Sequence, residues 1–289
     1  MKKIPVVRTI KAAYRFTFQN LGAIIGLIWL PMVLKTVIGF FVLQRYYEAA
    51  ADALASNNYA RLGPSMLSLF CYFVAAILFY AVMYVPVTQM ALGQRKDATL
   101  LHFALGPLEW RMFRALAGLV SFLMLPVLIA GFLISMLTSS ALLPHGLPAA
   151  LAADGLETLA YLGIVYLLLR FVFFIPALAA GEEGPVLPRA WMFSAGNFWR
   201  ILGIVLATVG PVAIAAELAE LVVQGPEGLM PSFTGSTAMA AAQLHRISQN
   251  MPLDQGIAFL VGPLILGLSA GSSAAALTAL KEPSVILEA

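Results

Sequence analysis

Four charged residues stand inside long apolar stretches: Lys35, Arg170, Glu217 and Glu220. An ionised side chain at mid-membrane costs roughly 2.5–3.5 kcal/mol on insertion scales, so these are the first candidates for ion, proton or anion chemistry. Glu217 and Glu220 are three residues apart and share one helix face. At about 1.5 Å rise per residue, Lys35 lies at a depth that allows an ion pair with Glu217 if their helices are neighbours. Arg170 has no partner in the surrounding sequence. Its readings are contact with an anion such as a lipid phosphate, or a structural tie to backbone carbonyls at a kink.

Beyond these charges, no constellation of catalytic residues is visible. His102, His145 and His245 have no second His or Cys at metal-ligand spacing, and GxxxxGK[ST], GxGxxG and GxSxG motifs are absent. The single cysteine, Cys71, excludes an intramolecular disulfide. The expectation is a protein without cofactor, metal or catalytic residue.

The elements that must position the four charges follow from composition. Of 289 residues, 61% are hydrophobic and 11% charged, and the mean hydropathy is +0.90. That leaves too little polar surface for a water-soluble globule, and too much apolar character for a disordered chain. The net charge of +3 reflects Lys and Arg spread between apolar stretches, which argues against a nucleic-acid partner. Charges at Arg8, Lys11 and Arg15 interrupt the N-terminal segment, so it does not read as a cleavable signal.

A hydrocarbon layer of about 30 Å needs roughly 20 helical residues. Six stretches approach that length: 21–43, 66–92, 115–138, 158–180, 201–223 and 257–280. The fold expected is therefore all-α and polytopic, a single six-span membrane domain over residues 1–289. Twelve Lys or Arg residues fall in the N-terminal tail and alternate segments against three in the others, which places both termini in the cytoplasm by the positive-inside rule.

The odd spans are each preceded by a segment that reads as an interfacial amphipathic helix. In the first, Val7, Ile10, Tyr14 and Phe18 recur at helical spacing beside Arg15. The second carries Trp110, Arg111 and Phe113; the third carries Trp191, Phe193, Trp199 and Arg200. Arg15, Trp110, Arg111, Trp191, Trp199 and Arg200 are thus candidate anchors toward lipid headgroups, anionic ones included. A short surface helix is also expected within 224–255, from Ala240, Leu244, Ile247 and Met251.

A weak internal repeat aligns Ala13, Tyr14, Phe16, Thr17, Asn20 and Gly26 on Ala190, Trp191, Phe193, Ser194, Asn197 and Gly203 without gaps. With Gly118 in span three, and Pro86, Pro176 and Pro263 in the even spans, it suggests three parallel helical hairpins. Gly22 and Gly26 form a GxxxG pair, and Gly267, Gly271 and Ala275 form a second small-residue stripe; both read as helix-packing faces. Gly210–Pro211, Pro31, Pro86, Pro126 and Pro176 are sites for kinks.

Glu182 and Glu183, followed by Ala190, Trp191, Phe193, Ser194, Gly196, Phe198, Trp199 and Arg200, resemble the cytoplasmic motif before the fifth helix of a six-helix bacterial membrane-protein family. That family includes the membrane domain of some glycerophosphoryl diester phosphodiesterases. Ala190 stands where the family has serine. The resemblance implies a six-helix fold in a bacterial inner membrane and carries over no catalytic residue. The function expected is a non-enzymatic protein that interacts with lipid, or a scaffold for a protein partner or a second copy. The alternative is a small transporter or channel that uses Lys35, Arg170 and Glu217.

Overall fold

The computed structural model describes residues 2–95, 103–139, 147–224 and 237–282; His102 and His145 lie outside them. The described residues form ten α-helices: α1 (Val6–Gln19), α2 (Leu21–Ser56), α3 (Leu62–Ala91), α4 (Pro107–Ser139), α5 (Leu147–Val172), α6 (Ile175–Gly181), α7 (Val186–Ser194), α8 (Phe198–Thr208), α9 (Gly210–Gln224) and α10 (Thr237–Lys281). Among the described residues four helical segments are long and apolar enough to cross a membrane: Leu21–Ser56, Leu62–Ala91, Thr158–Gly181 and Thr237–Lys281. The pair α7 and α8, bent by 98°, makes a fifth if taken as one broken span. This is an all-α, multi-pass membrane protein.

The arrangement of six spans in three hairpins is therefore corrected to four, or up to five, membrane-crossing segments. Hydropathy windows do not register backbone breaks. The stretch read as span five divides at Val209 into α8, of 11 residues, and α9, of 15, each shorter than the roughly 20 residues a crossing needs. The stretch read as span three lies within α4, a continuous helix. It is not among the qualifying segments, and its side chains are described only as far as Met124 and at Ile129.

The 224–255 reading is also revised. Residues 237–255 belong to no separate surface helix; they continue into span six as the 45-residue α10, with Pro252 and Pro263 inside it. Ala240, Leu244, Ser248 and Met251 are buried along one face, and the Ser248 hydroxyl donates to Glu48 of α2 at 3.2 Å. At about 1.5 Å per residue α2 and α10 reach well past a hydrocarbon layer of about 30 Å, and together they form a pillar beyond it.

Two apolar clusters hold the bundle. One joins Ile24, Leu27, Ile28 and Met32 of α2 to Phe79, Met83 and Val87 of α3 and to Leu266 and Ala270 of α10. The other gathers Ile4, Ala81, Val85, Met112, Leu119, Phe174, Leu178, Ile201, Ile204 and Leu277. The Gly267–Gly271 stripe packs on α1: a Cβ on Gly271 would stand 2.9 Å from Phe16 and 3.2 Å from the Ala13 backbone. A Cβ added at Gly22 or Gly26 would meet nothing within 4 Å, so among the described residues this pair forms no close packing face. In α1 the buried row is Thr9, Ala13 and Thr17, whereas Val7 and Phe18 face outward.

The aligned repeat has a local structural counterpart. Asn20 and Asn197 each stand just before a helix with nearly the same backbone, φ −118°, ψ 15° and φ −117°, ψ 6°. Each side-chain amide donates to the carbonyl four residues back, on Phe16 and Phe193. Ala13 and Ala190, Thr17 and Ser194, and Ile24 and Ile201 are buried in pairs. The two copies diverge at one residue. Gly196 adopts φ 70°, open to glycine at little steric cost, and the chain turns sharply between α7 and α8, whereas α1 stays helical through Gln19.

Candidate functional site

Arg170 lies in the last turn of α5 and is 7% exposed. Its Nε donates to Ser194 Oγ at 3.0 Å, one terminal nitrogen to the Tyr166 hydroxyl at 3.0 Å, and the other to the Trp191 carbonyl at 3.0 Å. The guanidinium lies 3.3 Å from the centroid of the Trp191 ring and 5.5 Å from that of Tyr166. The last carbonyls of a helix lack intrahelical partners and favour a cation. Arg170 supplies that cation to the end of α7, and a planar guanidinium suits both the stacking and the fork of donors. The side chain is committed to protein groups on several sides.

Lys35 is placed differently. It is half-buried on α2 with its ammonium 5.2 Å from the Tyr80 ring centroid. The expected ion pair with Glu217 is not formed. Glu217 is exposed on α9, which packs on α10, and Glu220 beside it is half-buried with Asp254 contributing further negative charge. Lys35 and Glu217 therefore do not meet, and Glu217 and Glu220 lie on a helix that is not among the crossing segments.

The candidate anchors divide as well. Arg15, Trp110 and Trp199 are exposed, Trp199 at 78%. Trp191 is 41% exposed and also packs on Arg170 and Phe171. Arg111 donates to the Gly184 carbonyl at 2.7 Å, and partial burial together with nearby Arg189 holds it below the usual guanidinium range. Arg200 donates to the Ile4 carbonyl at 2.7 Å. Asn197 completes that clamp: its Oδ1 accepts from the Ile4 N–H at 3.1 Å and its amide donates to the Lys2 carbonyl at 3.2 Å. Around it, Glu182 pairs with Arg189 and Lys281, and Arg8 makes two 3.0 Å bonds to Glu282. This end of the bundle is basic and tied together.

Sequence reasoning missed the residues that line the interior. A cavity of about 290 Å³ is bounded by Tyr84, Leu168, Val172, Phe173, Pro176, Val205, Val209, Ser269 and Ser272. It sits where the chain breaks between α5 and α6, at Phe173–Phe174, and between α8 and α9, at Val209. Leu168 and Val172 on its rim are 37% and 39% exposed, so the rim is apolar and faces outward. A smaller cavity of about 170 Å³ is lined by Ile28, Met32, Lys35, Tyr80, Tyr84 and Ile265, among others. Tyr84 lines both cavities, and in the larger one it shares the lining with Ser269 and Ser272. Tyr80 and Tyr84 at i, i+4, and Ser269 and Ser272 at i, i+3, were the available signal: polar atoms on one helix face within apolar spans.

Among the described residues no three His, Cys, Asp or Glu side chains come together as a metal site. The lining of the two cavities offers mostly apolar surface with a few hydroxyls and one ammonium. No protein-family model, curated protein sequence or solved structure matches the chain. The resemblance to the six-helix family is overturned by that result, together with four or five crossing segments where the family has six. Ten residues in one short stretch, rich in the aromatic and charged types that membrane interfaces favour, are too common in membrane proteins to carry kinship alone.

Proposed function

We propose that this chain is a non-enzymatic membrane protein that takes a lipid chain laterally into its bundle, with its basic end in the cytoplasm. The observation that carries the reading is the cavity of about 290 Å³ with an apolar, outward-facing rim at Leu168 and Val172. A cavity lined this way and opening to the side of a bundle is filled by hydrocarbon at less cost than by water. The broken segments support it, since the breaks at Phe173–Phe174 and Val209 both border the cavity and keep neighbouring helices from closing it. The orientation is supported by the gathering of Arg8, Arg111, Arg189, Arg200 and Lys281 at the end of the bundle that holds the N-terminal segment. Exposed Arg15 and Trp110 there suit contact with anionic headgroups.

The test uses the full chain in nanodiscs containing a phospholipid with a nitroxide on its acyl chain. Wild-type protein is expected to give a motionally restricted spectral component that Val172→Trp, which fills the rim, removes. An equal restricted component in both proteins overturns the reading.

A further inference from the structure

We infer that Lys35 is the head contact for a single-chain amphiphile with an anionic head, whose chain runs past Tyr84 into the inner cavity. The inference deepens the lipid-binding reading and rests on it.

A lysine that deep in a span is costly unless its charge is met. Among the described residues the group that meets it is a ring face, Tyr80, at 5.2 Å. A ring supplies a modest attraction and accepts none of the three N–H donors along their axes. The contrast with Arg170, whose donors reach three protein oxygens, marks Lys35 as the cation with capacity left for a ligand. Its cavity is otherwise apolar apart from the tyrosines, so an anion there has Lys35 as its one charged complement among the lining residues.

The chain has somewhere to go. Tyr84 is common to the Lys35 cavity and to the larger one beyond, and the larger volume of about 290 Å³ is at the small end of ligand sites, which suits one chain rather than two. Lys35 lies fourteen residues into α2, about 21 Å from its start, and the inner cavity borders α6 and α8 nearer the basic end. A head at Lys35 with its tail toward the inner cavity thus has the orientation of a lipid from the far leaflet.

The experiment measures partition of labelled palmitate, hexadecyl phosphate, hexadecanol and butyrate into phosphatidylcholine nanodiscs with and without the full-length protein. The expected result is saturable binding of one or both anionic long-chain probes about tenfold tighter than hexadecanol, the worth of one charge-assisted contact. Lys35→Met is expected to erase that preference while hexadecanol still binds, and Lys35→Arg to retain it. Palmitate and hexadecyl phosphate together report whether a carboxylate or a phosphate is preferred; either satisfies the inference. It is overturned if hexadecanol matches both anionic probes, if Lys35→Met keeps the preference, or if butyrate competes as well as palmitate. Hexadecanol binding that Val172→Trp abolishes would leave the lateral cavity standing after such a result. Absence of saturable binding by every probe removes both readings.

Discussion

Arg170 and Lys35 are both cations within membrane-crossing segments, and the bundle treats them oppositely. Arg170 is 7% exposed, bonded to Ser194, Tyr166 and Trp191, and stacked on an indole. Lys35 is half-buried, rests on one ring and borders a cavity. A buried charge contributes to structure only when its hydrogen bonds are complete. Arg170 ties the end of α7 to α5, whereas Lys35 borders a cavity with Tyr80 beside it.

The sharpest way to break this comparison is Arg170→Met. It removes three hydrogen bonds and the stacking on Trp191, leaving the Ser194 hydroxyl and the Trp191 carbonyl bonded only to each other, and a loss of about 3 kcal/mol is expected, read as a clear fall in the thermal unfolding midpoint in detergent. Arg170→Lys recovers little of it, because an ammonium cannot reproduce the fork or the stacking. A midpoint unchanged in either variant would show that the clamp is not structural. Ser194→Ala removes one of the three acceptors and is expected to cost about 1 kcal/mol by the same measurement. The smallest effect is assigned to Lys35→Met, within about 0.5 kcal/mol of wild type, since a half-exposed charge on a ring contributes little to stability. A loss as large as that of Arg170→Met would make Lys35 a second structural tie.

The same division runs through the wider molecule. The end that holds the N-terminal segment is closed by polar contacts from residues far apart in sequence: Asn197 and Arg200 on Ile4, Glu182 on Lys281, and Arg111 on Gly184. Arg111 and Arg200 read as lipid anchors in the sequence because a basic residue beside an aromatic one is the interfacial signature. In the fold their donors go to backbone carbonyls. Glu182 was visible only as part of a short motif; its burial between Arg189 and Lys281 depends on the meeting of the 182–189 segment with the end of α10.

What the sequence determined by itself is the solvent and the helices. Long apolar runs have one stable answer in lipid, because each backbone N–H and C=O must be satisfied within its own segment. The apolar runs, the amphipathic α1, the helix break just before Gly210–Pro211 and the paired Asn20 and Asn197 all follow from residues close in the chain. The tertiary structure alone decided how many runs cross unbroken, which glycines are packed, and which cations are spent. Gly271 and Gly26 look alike in sequence, yet one meets Ala13 and Phe16 and the other meets nothing within 4 Å. Hydropathy is a sum over neighbours in the chain, whereas close packing and the satisfaction of a charge depend on which helix arrives from elsewhere. Arg170 found Ser194 and Trp191, Lys35 found, among the described residues, Tyr80, and neither outcome is written in the residues beside them.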